Sequence, residues 1–155
     1  MSKSSSGQVQ TFNPDKGPIF SVRFLIAILL FVVGVAWIVV YYTQVRVDPT
    51  VIPAPKPGDP KFMADLGHWN YLIGFGLCLL ALMISAHPVT PLGRGRGVVI
   101  GMLGCFILGL LWIVTYYLFA EKIHEIPVMN DLGNYNLAVG VGLMAVGFSF
   151  ATRWE

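Results

Sequence analysis

Met63-Ala-Asp-Leu-Gly-His-Trp-Asn-Tyr-Leu-Ile-Gly-Phe-Gly-Leu77 returns as Met129-Asn-Asp-Leu-Gly-Asn-Tyr-Asn-Leu-Ala-Val-Gly-Val-Gly-Leu143, at a constant offset of 66 residues. Upstream of each block, Gly34-Val-Ala-Trp-Ile-Val-Val-Tyr-Tyr42 returns as Gly109-Leu-Leu-Trp-Ile-Val-Thr-Tyr-Tyr117 at an offset of 75. Two collinear blocks that share Trp, Tyr-Tyr, Asp-Leu-Gly, Asn and Gly-x-Gly do not arise from a bias toward apolar residues, so the chain is an internal repeat. The nine-residue difference between the offsets is a longer loop in the first copy.

Outward from these blocks lie four apolar runs: Phe24 to Tyr42, Trp69 to Ala86, Gly97 to Ala120 and Tyr135 to Ala151. The first, 19 residues without a charge, is long enough for a bilayer core of about 30 Å at 1.5 Å per residue; the third is the longest and the last, at 17 residues, the shortest. In lipid every segment must satisfy its own backbone, which selects helix despite the many Val and Ile. Composition agrees: 55% hydrophobic residues and 12% charged, about half the charged share of a soluble domain. The expected fold is therefore all-α and integral to the membrane, with four spans arranged as two tandem helical hairpins. The first unit covers 20–87, with a Pro-rich outer loop at 43–68. A basic linker follows at 88–96, and the second unit covers 97–155. The Ser- and Gly-rich stretch 1–19 reads as a disordered cytoplasmic tail.

Orientation follows from Lys and Arg near the span ends. Lys3, Lys16, Arg23, Arg94, Arg96 and Arg153 fall on one side; Arg46, Lys56, Lys61 and Lys122 fall on the other. The excess places both termini and the middle linker inside. The first run lacks a small-x-small cleavage site and exceeds the usual signal-peptide length, so it reads as a retained anchor. The five prolines between Pro49 and Pro60 favour an extended segment, either a spacer or a docking strand. The linker's Gly-Arg-Gly-Arg-Gly fits contact with anionic headgroups.

Within this frame the polar and aromatic residues have two readings each. Trp37, Tyr41, Tyr42, Trp112, Tyr116 and Tyr117 lie near outer span ends, as an interfacial belt or as a partner-binding face. Asp65 is placed to cap the second span. Asn70 and Asn136 fall just inside the membrane edge, where an amide seeks a bond across helices or to a partner. Gly74, Gly76, Gly140, Gly142 and the Gly97-x-x-x-Gly101 motif allow close helix approach, within the bundle or between copies. His68 has no companions at ligand spacing, and Cys78 and Cys105 sit inside apolar runs, so neither a metal site nor a disulfide framework is expected. No cofactor is expected. No ionisable group occupies the middle of a span, and no nucleophile–base set or P-loop occurs, which argues against a pump or an enzyme. The net charge of +2, without a basic stripe, argues against nucleic acid. A small four-helix transporter or channel, and an accessory subunit of a membrane enzyme, are the alternatives to a helix-packing adaptor.

The block from Met63 to Phe75 resembles the Leu-Gly-x-Trp-Asn-Tyr signature of the CrgA family, small actinobacterial cell-division membrane proteins. The span carrying Trp37 is similar to that family's first helix, and Thr152-Arg153-Trp154 to its short basic-aromatic end. The likeness covers about 20–87 and again 97–155. It implies a septal adaptor of the plasma membrane, without enzymatic activity. Its implied partners are the tubulin-like division ring protein, septal peptidoglycan synthases and other divisome membrane proteins. The positions carried over are Leu66, Gly67, Trp69, Asn70 and Tyr71, with Leu132, Gly133 and Asn136 as counterparts. Members of that family are typically single hairpins; here there are two, and Gly133-Asn134-Tyr135-Asn136-Leu137 departs from the signature.

Overall fold

The computed structural model describes residues 17–153. The tail expected over 1–19 therefore lies mostly outside the described residues, as does Trp154. Among the described residues all regular structure is helical. Helix α1 spans Val22–Val40 and continues as a wider π-turn over Tyr41–Val45; α2 spans Lys61–Leu66, α3 Trp69–Ser85 and α4 Arg96–Leu118. A 3₁₀ segment at Ala120–Glu125, α5 at Met129–Leu132 and α6 at Tyr135–Ala151 complete the chain.

Two helices are long and apolar enough to cross a membrane, Val22–Val45 with 24 residues and Arg96–Leu118 with 23. Only 22% and 17% of their most apolar windows is buried inside the fold, unlike the core helices of a soluble protein. Leu29, Ile100 and Leu108 are each more than half exposed. Helices α3 and α6 are shorter apolar helices of 17 residues.

The main packing is α1 on α3 and α4 on α6, with lighter contact between α3 and α6. Each pair crosses at two glycines. A Cβ on Gly34 would lie 2.7 Å from the Gly74 carbonyl oxygen, and one on Gly109 would lie 2.6 Å from that of Gly140. A side chain at either point would force the backbones apart, so these glycines set the closeness of the pair. One buried cluster, at the end carrying the hairpin loops, joins Ile38, Tyr41, Val45, Met63 and Tyr71 to Leu132 and Val139. A second, at the opposite end, joins Ala86, Val98, Cys105, Val146 and Phe150.

Several local expectations change. The loop expected over 43–68 is shorter, because the π-turn extends α1 to Val45 and Lys61–Leu66 forms α2. The Thr43 hydroxyl supports this extension by donating to the Val39 carbonyl at 2.7 Å. Asp65 does not cap α3: it lies in α2, and the N-cap position of α3 is His68 without a side-chain bond. The linker is folded into turns around Thr90, which is fully buried. The Thr90 hydroxyl donates to the carbonyls of Ser85 and His87 and accepts from the Gly93 amide. The Gly97-x-x-x-Gly101 motif is used internally, with Gly97 against Pro91 and Gly101 against the Phe150 ring.

Replacing Gly34 or Gly109 with Leu is expected to destabilise its helix pair by about 1–3 kcal/mol, the cost of overpacking. Gly104→Leu, where an added Cβ meets nothing within 4 Å, is expected to be near neutral. Unfolding in mixed micelles compares the three.

Candidate functional site

The repeated block folds into one small polar lock, built twice. Gly67 and Gly133 end α2 and α5 at φ of +52° and +51°, a left-handed conformation that glycine adopts without a Cβ penalty. The chain then re-enters helix at Trp69 or Tyr135. One residue further, the Asn side chain points back at the turn just made. The Asn70 amide donates to the carbonyls of Met63 at 2.6 Å and Gly67 at 2.8 Å, while its oxygen accepts from the Trp37 indole at 3.1 Å. Asn136 repeats the set with Met129 and Gly133, both at 2.9 Å, and with the Trp112 indole at 3.2 Å. Both asparagines are 0% exposed. A buried amide is costly unless its donors and acceptor are used, and here they are.

This geometry separates the residues singled out in the signature. Asn70 and Asn136 are withdrawn from the surface and tie each loop to the helix before it. Trp69 and Tyr135 point outward at 65% and 74% exposure. Leu132 is buried between the hairpins and Leu66 is half-buried. The two glycines of each Gly-x-Gly face different neighbours. Gly74 and Gly140 meet Ile38 and Ile113 of their own hairpins, whereas Gly142 meets Leu79 across the hairpin boundary and Gly76 faces open space.

The aromatic residues are not one belt. Tyr41 is buried and stands edge-on to Tyr71, with ring centroids 5.1 Å apart. Trp112 is half-buried and meets Phe75 of the other hairpin edge-on at 5.6 Å. Tyr116 donates to the Asn134 side chain at 3.2 Å. Of the six, Tyr117 is the exposed one, at 61%. Tyr41 is buried because it continues the inward stripe of α1, three residues beyond Ile38 and seven beyond Gly34.

A second polar cluster, which sequence reasoning missed, joins the hairpins. Arg46 forms a hydrogen-bonded ion pair with Asp131, and the Tyr71 hydroxyl donates to the same carboxylate at 2.7 Å. The Arg46 guanidinium also lies 4.8 Å from the centre of the Tyr42 ring, a cation–π distance. The Asn130 amide reaches the Tyr42 hydroxyl at 3.4 Å. The side chains of Arg46 and Asp131 are 10% and 9% exposed, so salt screens them little. The hydrogen bond from Arg46 to Asp131 pushes the guanidinium above its ordinary pKa. Asp48, 3.8 Å from Arg46, is held below the usual carboxylate range, first by the Thr50 hydroxyl and amide.

The clasp breaks the repeat. At the repeat offsets the counterparts of Arg46, Asp131 and Tyr71 are Glu121, Asp65 and Leu137. Asp65 is exposed, and no second clasp is possible from those residues. The sequence signal was faint: an arginine just past Tyr42, on the side poorer in cations.

Four outcomes are expected. Asn70→Leu and Trp37→Phe should each destabilise the first hairpin by about 1–3 kcal/mol, since each leaves a buried partner unpaired. A double-mutant cycle should give a coupling of about 0.6–2 kcal/mol. Asp131→Asn should cost about 3 kcal/mol by stranding a buried guanidinium, and spin labels on the two hairpin loops should show broadened distances. Asp65→Asn, at an exposed site, should change stability by about 0.5 kcal/mol or less.

The family model for "Cell division protein CrgA" matches residues 2–87 and 92–155. A cell division protein CrgA of Corynebacterium aurimucosum is 43% identical over 76 residues, covering 46% of this chain and 80% of the relative. The protein of that name from Streptomyces avermitilis is 39% identical over 54 residues, 35% of this chain and 60% of the relative. One from Corynebacterium glutamicum is 43% identical over 54 residues, 35% of this chain and 47% of the relative. The chain thus spans between about half and four-fifths of the length of these relatives. No solved structure matches. With a family model covering both repeats and their paired locks, the chain belongs to the CrgA family of cell division proteins.

Proposed function

We propose that this chain is a non-catalytic membrane adaptor of cell division. It crosses the bilayer four times with both termini cytoplasmic. At the septum it recruits or stabilises peptidoglycan synthases and other divisome proteins, the tubulin-like ring protein among them, and so influences septum formation. Family membership supports the cell-division role. The observation that carries the adaptor reading is where the polar groups go. Both Asn–Trp locks and the Arg46–Asp131–Tyr71 clasp are closed on themselves, while large apolar side chains face outward along α1, α3, α4 and α6. A surface of this kind has packing to offer, and no reacting group.

Pairing supports four spans. Once α1 and α4 cross a bilayer, α3 and α6 run beside them through the same depth; at 17 residues each is about 25 Å long, near the lower limit for a span. Arg94 donates to the Pro18 carbonyl at 3.0 Å, so the N-terminal approach and the basic linker share one end of the bundle. The pairing of Arg46 with Asp131 also removes the cation nearest a span on the opposite side. That sharpens the charge asymmetry in favour of cytoplasmic termini.

A fluorescent fusion is expected to concentrate at division sites; an even distribution round the membrane would count against the reading. Trp69→Ala and Leu72→Ala, both on exposed positions, should lower co-purification of septal synthases several-fold at unchanged protein levels. Full recovery with both variants would place the contact elsewhere. Solute or ion flux through liposomes holding only this protein would replace the adaptor by a channel.

A further inference from the structure

The ends of α1, α3 and α6 that lie beside the linker bring three basic side chains to one place. Ala86, Val98 and Phe150 share a buried cluster, which sets the end of α3 beside the end of α6. Phe24 of α1 and Ser85 of α3 line one small cavity with Leu92, which sets the start of α1 beside the same point. His87 follows Ala86, Arg23 precedes Phe24, and Arg153 lies three residues beyond Phe150. The His87 imidazole thus lies near two guanidiniums carried by different hairpins. Burial first, and then the charges of Arg23 and Arg153, hold it below its ordinary pKa.

No carboxylate among the described residues balances this cluster. All of them lie in the hairpin connections, 46–68 and 119–134, at the opposite end. Neither Arg23 nor Arg153 has a hydrogen bond or an ion pair among the described residues. The linker's own arginines are engaged elsewhere, Arg94 with the Pro18 carbonyl at 3.0 Å and Arg96 with a contact of its own. Arg23 also stands in the first turn of α1, which holds no acidic residue. The positive end of a helix dipole disfavours a cation there and favours an anion. His87 has one donor to offer: the Val89 amide donates to its Nδ1 at 3.2 Å, so the neutral ring carries its proton on Nε2.

We propose that Arg23, His87 and Arg153 bind the headgroup phosphate of an anionic phospholipid. The inference rests on the membrane-spanning part of the reading above, and not on the adaptor role. The chemistry the cluster recognises is an oxyanion, with two guanidiniums for its charge and the Nε2–H for one of its oxygens. Depth selects the source. Val22 and Leu25 flank Arg23 on α1, and Phe148 precedes Arg153 on α6, all three at least half exposed. The arginines therefore stand where the apolar surface of the bundle ends, which is the level of the headgroups. A soluble acidic segment would have to be drawn down to that level, whereas a lipid phosphate is already there. A zwitterionic lipid would leave the excess charge in place; an anionic one offsets it.

The full chain, reconstituted in nanodiscs of phosphatidylcholine with and without phosphatidylglycerol and then released into detergent for native mass spectrometry, tests this. Chain from mixed discs should retain one phosphatidylglycerol several-fold more often than a phosphatidylcholine. Arg23→Gln and Arg153→Gln, at exposed positions of different hairpins, should each lower that retention several-fold. Lys122→Gln, which removes an exposed cation from the opposite end, should leave it unchanged. By NMR of the ring nitrogens, His87 should titrate at higher pH when phosphatidylglycerol is present, and its rise should exceed those of His68 and His124. Equal rises for the three histidines, with retention unmoved by either arginine variant, would overturn the proposal by reducing the effect to general surface charge. Displacement of the lipid by millimolar inorganic phosphate would overturn the lipid source and leave a free-phosphate site. Equal retention of the two lipids would also overturn it, and binding of a polyglutamate peptide that is lost in Arg23→Gln would then name an acidic protein segment as the occupant. A chain that fails to float with vesicles would overturn the membrane-spanning reading as well, a result distinct from the others.

Discussion

The fold depends on a side-chain amide that pairs the polar groups of a tight turn between two helices. Where the chain leaves one helix and at once enters the next, the carbonyls of the turn have no helical partner. In this chain Asn70 and Asn136 supply two donors to those carbonyls and spend their oxygen on a tryptophan of the preceding span. The glycine before each lock makes the turn tight enough for the amide to reach back. The glycine four residues beyond each Asn lets the paired helix approach closely enough for its indole to arrive. Gly-x-(Trp/Tyr)-Asn-x-x-x-Gly is thus one device, in which each residue's type follows from its neighbour's geometry.

Much of this was legible in the sequence. The apolar runs, their helical state and the repeat follow from composition, length and self-alignment alone. The two asparagines were expected to bond across helices; that their partner is the repeated Trp, read as an interfacial or partner-binding aromatic, comes from the structure. What could not be read was the relation between the copies. Arg46, Tyr71 and Asp131 are separated by 85 residues at the widest, and nothing periodic connects them. The partner of Tyr41 was not legible either: its ring meets Tyr71 on the neighbouring helix, and only the packing of α1 on α3 brings the two together. Asp65 looked like a cap because α2, a helix of six residues, is too short to announce itself.

The two copies have kept the lock and lost symmetry everywhere else that matters. Each retains Trp, Asn, both carbonyl acceptors and the crossing glycines. The clasp is made once, from first-copy Arg46 and Tyr71 with second-copy Asp131. Reversing it would need a cation at Glu121 and a phenol at Leu137, and neither residue type can serve. This pattern is what separate pressures produce: folding of each hairpin constrains the lock in both copies, whereas association of the two hairpins needs only one working arrangement.

Tandem fusion changes what that arrangement has to supply. Two separate hairpins lose translational and rotational freedom on association. Residues 86–95, folded around buried Thr90, hold the second hairpin beside the first, and the encounter becomes intramolecular. The interface then combines one ion pair, the phenols of Tyr71 and Tyr42, the Phe75–Trp112 ring contact, Leu79 against Gly142 and a buried apolar cluster at each end. The hairpins still keep many large apolar side chains outward. They also keep a gap between α3 and α6 that tight association would have closed.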